Sequence, residues 1–373
     1  MLLALCVSVD SWGKLGHEIV ANLAWKLLTN QTRTSLVKIL EFNHTNYDAM
    51  LQLRSPQDDP TCPACSPIGL IADWADQIRG NWRYHWSSPL HYVDIRDDSI
   101  PGGCPVQSPE ERKKSEQPCA FDYSRDCTGD VCVAGAIVNY TQRIMATNLT
   151  SPQDPSNATI VRESLMFLVH FVGDIHQPLH VSRLTDIGGN EIIVHFNQTV
   201  QTSNTFHLRN RMARRVKHHV QLKHSPRNLH AVWDDGIINK YLNQDFEGSR
   251  KQAEDSLYAN IVHEATGDTD RWKEWLACPT GSQVSCPTAW AKESLDDALT
   301  WAYRDVNGSE VSNGTTLSKE YYETRLPIVK ERLTGAAVRL ASTLAMALAG
   351  GTRLEIGQSI THAEYFTAML KAA

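Results

Sequence analysis

The amino-acid sequence predicts an all-α protein, one mainly helical domain with a short β-hairpin and disulfide-pinned loops. Three observations carry this. Apolar residues recur at i, i+3, i+4 spacing in segment after segment. Alternating strand patterns are almost absent. No composition break separates two cores, so one domain is expected over residues 12–373. The 373 residues, 42% hydrophobic and 21% charged, are enough for a large core and are not those of a disordered or fibrous chain.

In chain order, Ile19, Val20, Leu23, Ala24, Leu27 and Leu28 mark a helix over residues 17–28. Leu165, Leu168, Val169 and Val172 share a face of a second over 161–172, which Pro178 closes. Residues 229–241 and 246–263 read as two more. Trp290, Leu295, Ala298, Leu299 and Ala302 give an amphipathic helix. Leu326, Val329, Leu333, Ala337, Leu340, Leu344 and Leu348 give a long last one. The best strand signal is 191–196, behind the hairpin-type turn Gly188-Gly189-Asn190. Residues 101–128, rich in Pro, Gly and Cys, read as a disulfide-pinned loop, and 151–157 and 307–316 as polar loops.

The first eleven residues, MLLALCVSVDS, resemble the end of a secretory signal without a basic start; the alternative is a buried N-terminal strand. Removing them takes Cys6 and leaves eight of the nine cysteines, a count that suits disulfides. Cys127–Cys132 reads as a local loop. Cys62-Pro-Ala-Cys65 has zinc-like spacing, but no second pair at zinc-ribbon spacing follows. Sequons at Asn30, Asn43, Asn139, Asn148, Asn157, Asn197, Asn307 and Asn313 suggest a surface carrying N-glycans. No apolar run is long enough for a membrane anchor. A monomer is expected, secreted or held in the lumen of the secretory or lysosomal pathway.

With 36 Lys+Arg against 42 Asp+Glu, the chain is no broadly basic clamp for nucleic acid. It can still act on nucleic acid if the positive charge of its site is metal. His170 and Asp174 stand i, i+4 on one helix face, and His230 and Asp234 repeat that pair. His180 follows past Pro178, His17 lies on the first helix, and Asp76 and His91 lie between. Imidazole and carboxylate are the ligand set of zinc, and His170 and Asp174 cannot be buried cheaply on an apolar helix without a strong partner.

These residues sit in a series of motifs: Trp12-Gly-Lys-Leu-Gly-His17, Trp74-Ala-Asp76-Gln-Ile-Arg79, Leu90-His91-Tyr92-Val93-Asp94, His170-Phe-Val-Gly-Asp174-Ile-His-Gln-Pro-Leu-His180, Asp186-Ile-Gly-Gly-Asn190, Asn228-Leu-His230-Ala-Val-Trp-Asp234 and Trp290-Ala-Lys-Glu-Ser. In order and content the series resembles the secreted trinuclear-zinc single-strand nucleases and 3′-nucleotidases, the type I nucleases, whose helical fold is shared with zinc-dependent phospholipases C.

The resemblance implies three Zn²⁺ per chain. Asp76, His91 and His170 would hold one, with Asp174 bridging to a neighbour held by His17 and by the α-amine and carbonyl of Trp12. The amine becomes available only after cleavage between Ser11 and Trp12. His180, His230 and Asp234 would hold the third. Asp76, Asp174 and Arg79 would be catalytic, Arg79 by neutralising phosphate oxygens. Tyr92 would stack a base and Asp94 accept hydrogen bonds from its edge; many relatives carry Phe at the position of Tyr92. Asp186 and Asn190 resemble further nucleoside contacts, with plain turn chemistry as the alternative. The substrates implied are single-stranded DNA and RNA, cut to 5′-phosphate products, and 3′-nucleotides. Stacking needs an unpaired base, which is the physical reason to expect single strands.

His176 is not counted as a ligand. His218, His219 and His224 follow Arg214, Arg215 and Lys217 in a basic cluster that reads as a solvated helix face or as a path for polynucleotide. Most tryptophans are expected in the core. A zinc phospholipase C is the near rival, but its last metal pair is HxxxE where this chain has HxxxD. A non-catalytic zinc glycoprotein is the rival from another class, and it would not need Arg79 or Asp94.

Overall fold

The computed structural model describes residues 12–41, 65–114, 119–146, 155–196, 226–267, 271–279 and 284–348. The helices expected from periodicity are present, and several are longer than expected. Helix α1, Lys14–Leu27, buries Ile19, Val20, Leu23, Ala24 and Leu27 as the periodicity requires. It also buries His17, Glu18 and Asn22, because it is covered on several sides, chiefly by the last helix. Glu18 is paired with Arg250, and Asn22 donates to Glu254 Oε1 at 2.9 Å. Helix α2, Asn30–Glu41, was not expected; its polar sequence hides a narrow face that buries Leu36 and Ile39. Helix α3, Trp74–Arg79, is short. Helix α4, Val133–Met145, also unforeseen, packs on α5, Pro155–Asp174.

Helix α5 crosses the middle of the molecule. Leu165, Met166, Phe167, Leu168, Val169, Phe171 and Val172 are all buried, so the apolar run faces protein on both sides. It begins inside the segment expected as a polar loop, since Pro155 has the fixed φ that suits a first helical turn; residues 151–154 lie outside those described. Past Asp174 the chain makes the 3₁₀ turn Pro178–His180.

Short helical turns at Leu229–Ala231 and a π-helical turn at Val232–Gly236 lead into α6, Ile237–Phe246. The helix expected from residue 246 begins at Arg250 instead (α7, Arg250–Thr266), because Glu247 and Gly248 take φ of 51° and 82° and end α6. Helix α8, Ser285–Asp297, continues through a second π-helical turn, Ala298–Ala302. Helix α9, Lys319–Leu348, starts seven residues before the first apolar position that signalled it, tolerates Pro327, and is buried all round from Arg332 to Ala345.

Two small sheets frame the site. Strand β1, Val93–Ile95, pairs in parallel with β2, Val181–Arg183, in the register Val93↔Val181. This lays the segment after His91 beside the segment after His180. Strand β3, Ile193–Phe196, pairs antiparallel with β4, Pro226–Asn228, and parallel with β5, Thr316–Leu317. The Gly188-Gly189-Asn190 turn therefore joins strands of different sheets and does not connect a paired hairpin. Disulfides link Cys104–Cys119, Cys127–Cys132 and Cys278–Cys286. Cys65 is disulfide-bonded too, which removes the zinc reading of its motif. Among the described residues no helix is long and apolar enough to cross a membrane.

Candidate metal centre

Six segments of the chain bring the His and Asp side chains together. Helix α1 contributes His17, α3 Asp76, the turn before β1 His91, and the last turns of α5 both His170 and Asp174. The 3₁₀ turn contributes His180, and the consecutive turns Leu229–Ala231 and Val232–Gly236 contribute His230 and Asp234. They form three groups: His17, His170 and Asp174; Asp76, His91 and His170; His180, His230 and Asp234. In each group one potential ligand atom per residue lies within 4.8 Å of the others. His170 belongs to two groups, so these are neighbouring positions of one cluster.

Asp174 is the centre. Its Oδ1 is 3.2 Å from His17 Nε2, and its Oδ2 is 3.1 Å from His91 Nδ1 and 3.2 Å from His170 Nε2. Both oxygens are buried without a hydrogen-bond partner. Burial of such a carboxylate is costly unless a cation compensates it. Asp76 Oδ1 lies 3.3 Å from His91 Nδ1 and 3.5 Å from both His170 Nε2 and Arg79 Nη1. His17 stacks on His170 with ring centroids 3.8 Å apart.

Backbone carbonyls set the imidazole tautomers. His170 Nδ1 donates to Ala72 O, His180 Nδ1 to His91 O and His230 Nδ1 to Gly188 O, each at 2.7 Å. The Nε2 atoms are left as ligand atoms, since a hydrogen bond at one ring nitrogen turns the other toward a metal. His180 Nε2 is buried with no hydrogen-bond partner. Burial pushes the His180 imidazole down to about 4, so it is neutral at pH 7 and ready to ligate. Burial pushes Asp174 and Asp76 up, but the surrounding histidines, and Arg79 for Asp76, hold both well below the usual carboxylate range. Burial also opposes charge on His170, yet Asp174 and Asp76 raise it well above an ordinary histidine. A metal ion would replace that proton. The donor set and the orphaned buried atoms fit metal.

The sequence matches the S1/P1 Nuclease family over residues 12–208 and 216–349. It is 34% identical over 350 residues to Endonuclease 4 of Arabidopsis thaliana, covering 91% of this chain and 89% of that protein. It is 28% identical over 350 residues to Nuclease S1 of Aspergillus oryzae, covering 92% and 93%. Against Nuclease P1 of Penicillium citrinum it is 26% identical over 332 residues, covering 89% and 96%. The chain belongs to the S1/P1 nuclease family. It is a nuclease, a hydrolase of the ester bonds of nucleic acid, and its three His/Asp groups could hold metal ions.

In this S1/P1 nuclease the expected substrate residues share one neighbourhood. Burial and Asp94 push the half-buried Tyr92 phenol up, and Arg79 pulls it down. Asp94 is pushed up to about 6 by burial, with Asp97 and Asp186 adding to it. Asp186 is largely engaged in holding the turn: its Oδ1 accepts from Gly189 N and Tyr303 Oη, both at 2.7 Å. Asn190 donates to Ile187 O at 2.8 Å and accepts from Asn228 at 3.0 Å. Both side chains thus make hydrogen bonds within this turn. Trp12 is fully buried, and the Gly13 N–H donates to Asp234 O at 3.3 Å, which ties the start of the described chain to the Asp234 turn.

His176 stands outside all three groups; its Nδ1 donates to Val172 O at 2.7 Å and its Nε2 faces Arg339 at 3.0 Å. Residues 214–224, with the basic cluster, lie outside the described residues. Sequence reasoning missed Gln177. It donates from Nε2 to Asp234 Oδ1 at 2.6 Å and accepts from Leu179 N at 2.5 Å. The only signal was its place in the signature between Asp174 and His180.

Proposed function

We propose that this chain is a secreted, zinc-dependent endonuclease of single-stranded DNA and RNA that leaves 5′-phosphate ends and also removes the 3′-phosphate of nucleotides. The observation that carries the reading is the buried Asp174 carboxylate within 3.2 Å of His17, His91 and His170, residues of two groups that share His170, with a third His/Asp group beside them. Asp76, His91 and His170 would hold one zinc, His17 and Asp174 with the Trp12 amine and carbonyl a second, and His180, His230 and Asp234 a third. Zinc bound there would supply Lewis acidity and an activated water.

The chain's own groups do the rest. Arg79, its side chain only 12% exposed and 3.5 Å from Asp76, presents a fixed cation to phosphate oxygens. Tyr92 offers a ring face to a base of any kind, and Asp94 an acceptor for its edge. Gln177 holds Asp234 in orientation, and the carbonyls of Ala72, His91 and Gly188 hold three imidazoles. The family match beginning at Trp12 supports maturation at the Ser11–Trp12 bond, and the disulfides and sequons support secretion as an N-glycosylated protein.

One experiment tests the core of this. The mature secreted protein is analysed for zinc and its N-terminus sequenced, and it is assayed on single-stranded DNA, duplex DNA and 3′-AMP. Three zinc ions per chain, a Trp12 start and a preference for single strands are expected. Equal cutting of duplex, or no phosphate release from 3′-AMP, would remove the corresponding part of the proposal.

A further inference from the structure

The segment that joins Arg79 to His91 carries a feature that the proposed active site does not use. Residues 77–90 contain Arg79, Arg83 and His85 and no Asp or Glu, in a chain whose net charge is −6. Within this stretch Trp82 is 76% exposed, the most exposed large apolar side chain among the described residues, and Trp86 is 53% exposed. A single exposed apolar residue is ordinary, but two tryptophans with a cation between them form a patch that asks for a ligand.

The patch is built, not frayed. Asn81 N donates to Ile78 O and Tyr84 N to Asn81 O, both at 2.8 Å, so the chain turns twice and keeps Trp82 close to Arg79. Three residues of chain limit the separation of their Cα atoms to about 11 Å. Tyr84 donates to Glu163 Oε1 at 2.6 Å and packs edge-on against Trp74. Trp86 donates from Nε1 to Arg83 O at 2.8 Å and leans on Phe167, its ring centroid 5.7 Å away. These two residues anchor the loop and leave Trp82 projecting outward. The Arg83 guanidinium lies over the Trp82 ring, 5.3 Å from its centroid.

We propose that Trp82, with Arg83 and Trp86, is a second stacking platform that binds the unpaired strand beyond the nucleotide at the metal centre. The occupant is single-stranded nucleic acid: the indole face takes a base without regard to its identity, and the guanidinium takes the adjoining phosphate. Charge favours this occupant, and so does continuity, since a strand whose phosphate sits at Arg79 meets Trp82 next along the same loop. The inference rests on the single-strand nuclease reading above, and it makes the preference for polynucleotide over mononucleotide a property of this loop.

The test is steady-state kinetics of the zinc-loaded protein on a twelve-nucleotide single-stranded DNA and on 3′-AMP. Trp82→Ala should raise KM for the oligonucleotide about tenfold, the scale of one lost base–aromatic stack, with kcat unchanged and 3′-AMP kinetics unchanged. Trp82→Phe should restore most of the loss. Arg83→Ala should lower the slope of log KM against log salt by about one phosphate contact's worth. Unchanged oligonucleotide KM in Trp82→Ala, with the wild type active, overturns the platform alone and marks the patch as a contact for something other than substrate. Equal losses on both substrates also overturn it. A wild type inactive on every nucleic acid overturns the nuclease reading and the platform with it.

Discussion

A Cβ placed on Gly173 would stand 2.6 Å from His17 Nδ1. The close approach of helix α5 to helix α1 that brings His17 against Asp174 thus depends on a missing side chain. Ala is the better helix former by about 0.5–1 kcal/mol, so at an ordinary helical position Gly173→Ala would stabilise. Here it should displace the His17 ring. The expected outcome is loss of one zinc per chain and a fall in single-strand cleavage of at least tenfold, with the far-UV circular dichroism unchanged. Full zinc content in the variant would show that His17 has room to move.

Asp174→Asn keeps shape and removes the charge. The Asp174 carboxylate is buried and held ionised by the surrounding histidines, which places a fixed negative charge where three imidazole nitrogens converge and a cation can bind. Activity should fall by at least about 10²–10³-fold, the scale of removing one electrostatic contact from an active site. Chelation should lower the Tm of the wild type strongly, because metal binds the folded chain alone. It should lower that of Asp174→Asn much less. A variant with wild-type activity would disprove the shared zinc position.

Gln177→Glu separates orientation from ligation. Its remaining oxygens still accept from Leu179 N, but the donor to Asp234 Oδ1 is gone and a second carboxylate faces Asp234. Losing an outer-shell partner typically costs 10–100-fold in metal affinity. A zinc titration should show one of the sites weakened by about that factor and the other two unchanged. Uniform weakening of all sites would mean that Gln177 supports the fold at large.

Asp94 gives a pH dependence whose sign is fixed. Its folded pKa of about 6 lies above the ordinary carboxylate value of 3.8, because burial, Asp97 and Asp186 disfavour its charge. Below pH 3.8 the group is neutral in both states and costs nothing. Between 3.8 and about 6 the unfolded chain ionises first, so stability falls as pH rises. Above 6 the full penalty applies, on the order of 1–3 kcal/mol for a partly exposed group. Asp94→Asn should therefore be more stable than the wild type at pH 7 to 8, and the difference should vanish below about pH 4. Thermal melts across that range decide it, and a difference independent of pH would rule out Asp94 as its source.

Much of the site was legible because its chemistry is locally encoded. The His170/Asp174 and His230/Asp234 pairs follow from helical spacing, and the ordered motifs placed His17, Asp76, His91 and His180 beside them. What could not be read were the partners that are backbone. The carbonyls of Ala72, His91 and Gly188 fix three imidazoles and leave no trace in residue identity. The π-helical turn that carries Asp234 has no sequence signature either. Among the helices, α2 escaped because only Leu36 and Ile39 on its polar sequence face the core. Trp82 went the other way: its residue type suggested core, and the anchoring of Tyr84 and Trp86 turns it out to solvent.

The Glu293 carboxylate holds two buried guanidiniums behind the site. It accepts from Arg332 at 2.8 Å and from both terminal nitrogens of Arg339 at 2.6 and 2.7 Å. Arg332 Nε in turn donates to His176 O at 3.1 Å, and Ser294 Oγ to Ile175 O at 2.5 Å, so this network clamps the chain just after Asp174. Removing one partner of a buried ion pair typically costs 3–5 kcal/mol because the other charge stays behind. Two features reduce that here: the Glu293 side chain is 36% exposed, and Asp297 remains 3.7 Å from Arg332. Glu293→Gln should then lose about 2–3 kcal/mol of unfolding free energy, measured by urea denaturation of the zinc-loaded protein. Zinc content and kcat at 25 °C should hold, since no atom of Glu293 enters any of the three metal groups. A loss of zinc without loss of stability would place the network in the metal site's support and not in the core's.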